Sequence, residues 1–135
     1  MRTSDLIDRI AQQCTLFACV DHVLNPTKKL AYPAAMVIPS EVSAAPDDLI
    51  GLPQQQDIRQ VFSIFILMAR RDDTDLTTGV DDLDDLLAQL RSVLPGWQID
   101  PDHAPMNFAG GKLDKYHTGV ICWREDYSVE TTLRL

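Results

Sequence analysis

The chain has 135 residues, with 12 Lys+Arg against 20 Asp+Glu, a formal charge of −8, and 45% hydrophobic residues. That length fits one domain of roughly 100 to 150 residues, and the apolar content excludes a disordered tail, since a chain of this size buries about two-thirds of its unfolded surface. The acidic balance, with a pI near 4.6, argues against a protein that grips nucleic acid by neutralising phosphates, which needs a Lys/Arg surplus on some face.

No apolar run approaches the roughly 20 residues of a membrane helix, the longest being the stretch around Val61 to Ala69. Met1 to Asp5 leads straight into an amphipathic pattern containing acids, without the apolar core of a signal peptide, so the expectation is a protein without a membrane segment, made in a cytoplasm. Three cysteines, Cys14, Cys19 and Cys122, form an odd set without a CxxC pair. They indicate neither a disulfide framework nor a zinc site, and buried thiols are the ordinary reading.

In chain order, Thr3 or Ser4 caps a helix from about Ser4 to Gln13, whose apolar positions Leu6, Ile7, Ile10, Ala11 and Cys14 share one face. Leu16 to Val20 reads as a first strand and Ala34 to Ile38 as a second, bracketed by Pro33 and Pro39. From Pro39 to Gln56 the composition turns to Ser, Ala, Pro, Asp, Gly and Gln, which predicts a long loop over residues 39–56. Structureless loops longer than about 12 to 15 residues are uncommon in compact domains unless functional, and the island Leu49, Ile50 and Leu52 has two open destinations, the core or a partner.

Asp57 to Arg71 carries the strongest strand signal, with Phe62, Ile64, Ile66 and Met68 on one parity and Val61, Phe65 and Leu67 on the other. Both faces are apolar, so both need cover, either within the subunit or from another copy of the chain. Residues 72–85 then hold seven aspartates, Asp72, Asp73, Asp75, Asp81, Asp82, Asp84 and Asp85, and no base. Leu83, Leu86, Leu87, Leu90 and Leu94 recur at helical spacing and predict a helix from about Val80 to Leu94, acids at its positive end, Arg91 in its last turn, and Pro95-Gly96 closing it. Trp97 to Gly111 reads as irregular.

From Gly119 to Leu135 the parity never slips: Ile121, Trp123, Glu125, Tyr127, Val129 and Leu133 share one side. One long strand of about 55 Å, at ~3.3 Å per residue, is preferred. Such a strand reaches outside a small subunit, while the alternative is a hairpin turning at Glu125-Asp126, which lacks the Gly or Asn of tight turns. The fold class expected is α+β: a small domain spanning residues 1–135, with a mostly antiparallel or mixed sheet of about four strands, two helices on one face and a long C-terminal strand.

Catalytic signatures are not apparent. His22, His103 and His117 are widely spaced and none belongs to a metal motif. A calcium loop beginning at Asp73 would need Gly and Glu where the chain has Thr78 and Asp84. Gly110-Gly111-Lys112 lacks the remaining residues of a phosphate loop, and no cysteine has a sequence-visible base beside it. No catalytic, cofactor-binding or metal residue is assigned.

The order of elements, together with Asp81-Asp82-Leu83-Asp84-Asp85-Leu86 and Cys122-Trp123-Arg124-Glu125-Asp126-Tyr127, resembles the tail terminator (tail completion) proteins of long-tailed bacteriophages over essentially the whole chain. The resemblance implies a non-enzymatic virion subunit at the head-proximal end of the tail. It implies a hexameric ring that caps the tail tube, stops its growth, and joins the head-to-tail connector or stopper protein, with DNA passing through the lumen without specific binding. The apolar residues then expected at subunit or tube interfaces are Leu49, Ile50, Leu52, Phe62, Phe65, Trp123, Tyr127, Val129 and Leu133. Asp72, Asp73, Asp75, Asp81 and Asp82 are expected on an acidic lumen or a solvated face, where like charge would let a polyanion slide. Two rival readings stand beside this one: a small adaptor or assembly chaperone whose aspartates engage a basic partner, and a small enzyme whose site assembles from distant residues.

Overall fold

The computed structural model describes residues 1–22, 32–44, 55–69, 76–117 and 120–134. The elements are α1 (Thr3–Gln13), β1 (Cys19–Asp21), β2 (Ala34–Ala44), β3 (Gln55–Ala69), α2 (Leu76–Val93), β4 (Asn107–His117) and β5 (Val120–Arg134). They build a five-stranded sheet in the order β1-β2-β3-β5-β4, parallel at β1 and β2 and antiparallel elsewhere. Both helices lie on one face of it, giving the α+β fold with a long C-terminal strand that the sequence predicts, with five strands in place of about four.

The two longest strands are each other's partners. β3 and β5 have fifteen residues each and pair in unbroken register, from Gln55 opposite Arg134 to Ala69 opposite Val120. The expected long strand is therefore present, without a hairpin at Glu125-Asp126, but its length is matched inside the subunit by β3 instead of reaching beyond it.

Alternation along this pair sorts the side chains by face. Phe62, Ile64, Ile66 and Met68 of β3, with Ile121, Tyr127 and Val129 of β5 and Ala35 and Val37 of β2, point under the helices and are almost fully buried. Leu6 and Ile10 of α1 and Leu83, Leu86, Leu87, Leu90 and Leu94 close the core from above. On the opposite face Val61 and Ser63 are buried, while Met36, Ile38, Phe65 and Leu67 are half-buried. Among the described residues no helix covers that face.

Several boundaries differ from the sequence reading, each for a physical reason. Arg2, not Thr3 or Ser4, holds the cap position of α1, because Asp5 Oδ2 accepts the Arg2 backbone N–H at 3.1 Å. The first strand starts at Cys19, and Leu16 sits in a turn. β2 runs through Pro39 to Ala44: β1 pairs only with Ala34, Ala35 and Met36, so Pro39 lies on an edge, at a register shift where a missing N–H is tolerated. Of the loop expected over 39–56, residues 39–44 belong to β2 and residues 55–56 to β3, while residues 45–54, with Leu49, Ile50 and Leu52, lie outside the described residues. Helix α2 starts at Leu76, so Asp81, Asp82, Asp84 and Asp85 lie beyond its first turn, where the favourable dipole has faded.

β4 is the element the composition concealed. Its outer side is free of a strand partner among the described residues, and its register shifts between Phe108 and Gly110 and again between Leu113 and Lys115. Gly110, at φ +137°, supplies a backbone conformation that other residues rarely adopt. Gly111 is needed for a different reason: a β-carbon there would collide with Glu125 Oε1 and crowd the Trp123 ring.

Candidate functional site

The residues singled out in the sequence are dispersed over the molecule. Phe62, Tyr127 and Val129 belong to the core beneath the helices, Trp123 is half-buried at its margin, and Phe65 is half-buried on the opposite face. Leu133 pairs with Gln56 near the end of the sheet. Asp81 and Asp82 are exposed on α2, whereas Asp72, Asp73 and Asp75 lie outside the described residues.

A polar network that the sequence reading missed sits within the core. Glu125, on the apolar parity of β5, is fully buried, and its carboxylate accepts four hydrogen bonds. Arg91 of α2 donates from Nη2 to Oε1 at 2.8 Å and from Nε to Oε2 at 3.2 Å; Trp123 Nε1 donates to Oε1 at 2.9 Å, and the Tyr127 hydroxyl to Oε2 at 3.0 Å. The hydrogen bond to Glu125 raises the Arg91 pKa above its ordinary value, and burial pushes the Tyr127 hydroxyl up, helped by the nearby Glu125 charge. A charged residue on the apolar parity of an otherwise alternating strand was the available signal. For Arg91 the helix pattern indicates only a favourable base near a helix end.

This network has an outward side. Arg91 is 43% exposed, and its guanidinium lies 5.0 Å from the centre of the Phe108 ring on β4, which in turn meets Tyr127 edge-on at 5.7 Å. An arginine held by a saturated carboxylate beneath it has little rotamer entropy left to lose on contact. A second polar set marks the other face, where Arg124 Nε and Ser63 Oγ both donate to Asp126 Oδ1, at 2.9 and 2.7 Å, and Arg124 lies over Phe65.

A third set ties the N-terminus to the irregular segment after α2. The Met1 ammonium donates to Gln60 Oε1 at 2.8 Å and lies 3.0 Å from His103 Nε2, while His103 Nδ1 faces Asp100 Oδ1 at 2.6 Å. That histidine contact is the main reason the Asp100 carboxyl stays below its usual range. Of the thiols, Cys14 is buried, with its pKa pushed up by burial to about 11, whereas Cys19 and Cys122 are half-buried, contrary to the expectation of three buried thiols. Among the described residues no three His, Cys, Asp or Glu side chains are grouped to hold a metal ion, and no helix is long and apolar enough to cross a membrane.

The exposed large apolar side chains are not scattered. Phe108 (45% exposed) and Leu113 (55%) stand on β4, Val42 (64%) stands on β2, and Leu16 and Tyr32 lie just ahead of β1 and β2. These are the two lateral margins of the sheet, at opposite ends of the strand order. Apolar side chains thus stand exposed at both margins, and Arg91, held by Glu125, lies beside Phe108 at one of them.

No individual curated protein matches the chain. A family model described as "Phage tail terminator protein" matches residues 1–135, the whole of it. The chain therefore belongs to the phage tail terminator family, a structural component of the phage tail.

Proposed function

We propose that this chain acts as a ring that caps the phage tail tube, terminates tube growth, and presents the surface on which the head-to-tail connector or stopper protein docks. The observation that carries the reading is the family match over residues 1–135. The paired apolar margins of the sheet support it, since a subunit with two sticky edges is suited to a closed assembly of copies. Six copies is the stoichiometry that the resemblance implies. The protein contributes shape and contact surface, with no reaction. Its place is the head-proximal end of the tail, after assembly in the host cytoplasm.

The net charge of −8 fits a conduit for DNA, because acidic walls repel phosphates and leave the polyanion free to slide. Asp81, Asp82, Asp84 and Asp85, exposed on α2, are the described candidates for that role. The test is to add the purified protein to polymerising tail-tube subunits and image the products. Tubes of arrested length bearing a ring at one end support the reading, and unchanged tube growth refutes it.

A further inference from the structure

The two margins of the sheet match each other on both faces. At the β2 margin, β1 covers only Ala34, Ala35 and Met36, which leaves residues 40–44 without a strand on their outer side among the described residues. The β4 margin is likewise without a strand on its outer side among the described residues. Register places Val42, opposite Gln60, on the face that carries the helices, and it places Phe108 and Leu113, opposite Tyr127 and Trp123, on that same face. Glu41, opposite Val61, and Lys112, opposite Arg124, both lie on the other face. One margin thus offers an apolar side chain above and an acid below, and the other offers apolar side chains above and a base below. The strand directions also agree, because β2 and β4 run in opposite senses across the sheet.

We propose that copies of this chain join head to tail by continuing the sheet, residues 40–44 of β2 in one copy lying antiparallel along β4 of the next. The occupant of each margin is the other margin of a second copy. Setting Glu41 opposite Lys112 brings Val42 opposite Gly111, beside the Trp123 ring that crowds the glycine and between Phe108 and Leu113. Arg91, fixed by Glu125 and stacked on Phe108, borders the same contact. Asp114, also on β4, faces Cys122 Sγ at 3.9 Å on the next strand. Pro39 and the register shifts in β4 keep the shared ladder short, which limits open-ended strand addition and leaves specificity to the side chains. Such a contact is heterologous: it uses two different surfaces on each copy, so it closes into a ring when the rotation per copy allows. The inference rests on the ring reading given above and supplies its subunit interface.

The test uses the full chain, measured by light scattering alone and on tail tubes, with Val42→Arg and Leu113→Asp, whose native side chains are both more than half exposed. Each variant is expected to weaken association about 30-fold or more, as loss of a central apolar anchor does. Mixing the two restores a dimer and nothing larger, since the first keeps an intact β4 margin and the second an intact β2 margin. Lys112→Glu and Glu41→Lys are each expected to weaken the ring and, combined in one chain, to restore it. Rings that both apolar variants leave unchanged would overturn the interface while sparing the ring. Self-association of the Val42→Arg chain into dimers would overturn it in favour of a two-fold β4 contact. A wild-type chain that stays monomeric alone and on tubes would overturn the ring and the interface together.

Discussion

The centre of the sheet and its margins obey different rules. At the centre, β3 and β5 pair over fifteen residues, and Phe62, Ile64, Ile66 and Tyr127 have at most 1% of their surface left in water. At the margins the ladders are short or shifted, and every large apolar side chain exposed among the described residues lies on or beside an edge strand. The centre is built to hold one subunit together, and the margins retain apolar surface that no other described residue covers. Folding and the proposed assembly are therefore expected to respond to different mutations.

The largest effect is expected at the centre. Ile64→Ala removes a fully buried side chain between β2, β5 and the helices, and should cost about 2 to 5 kcal/mol in urea unfolding. A cost under 1 kcal/mol would mean that the core is looser than described.

Next comes the buried carboxylate. Arg91→Ala leaves Glu125 at the core margin with two hydrogen-bond donors and no cation, and is expected to cost about 2 to 4 kcal/mol, below the upper range for buried pairs because Arg91 is partly exposed. The double change Arg91→Leu with Glu125→Leu should recover only part of that loss, since it removes the unpaired buried charge but leaves the Trp123 Nε1 and Tyr127 hydroxyl donors without their acceptor. A double-mutant cycle in denaturant measures the coupling, and additive losses would contradict it.

Alkaline pH should act through Cys14. Its folded pKa, about 11, lies above the ordinary 9.0, so the folded state keeps the proton more tightly than the unfolded chain does. The stability this contributes is complete below pH 9 and is lost as pH rises from 9 to 11. Tyr127, shifted in the same direction, adds to that loss at the alkaline end. Cys14→Ala should flatten the stability curve between pH 9 and 11, and an unchanged slope would remove Cys14 from the account.

The smallest effect on folding is expected at the margins. Leu113→Asp and Val42→Arg should change the unfolding free energy by about 0.5 kcal/mol or less, as substitutions of exposed side chains do, while they weaken association strongly. A thermal shift comparable to that of Ile64→Ala would erase the distinction between centre and margin.

Much of the centre was legible in the sequence because it depends on periodicity. The parity of residues 121–129 and the leucine spacing of α2 report burial directly, and both elements formed, α2 with its start at Leu76 instead of about Val80. β4 was not legible, since Gly110 and Gly111 carry loop chemistry in any local reading. Their reasons, a strand bulge and the close approach of Glu125 and Trp123, are tertiary. The extension of β2 through Pro39 was hidden for a similar cause: a proline is excluded from a paired strand but tolerated at an edge, and edge status is a property of the whole sheet. The margins were illegible for the same reason, because Val42, Phe108 and Leu113 acquire meaning only when the strand order sets them at opposite ends. Glu125 stood in view on the apolar parity, yet its partner Arg91, 34 residues away, could be identified only from the fold.

The central claim is most directly tested by growing tail tubes from purified tube subunits with and without this protein and measuring tube length by electron microscopy. The account predicts a narrow length distribution that shortens as the protein is added earlier, with a ring at one end of each tube and no further growth from that end. Tubes that keep elongating from both ends at saturating protein would contradict it.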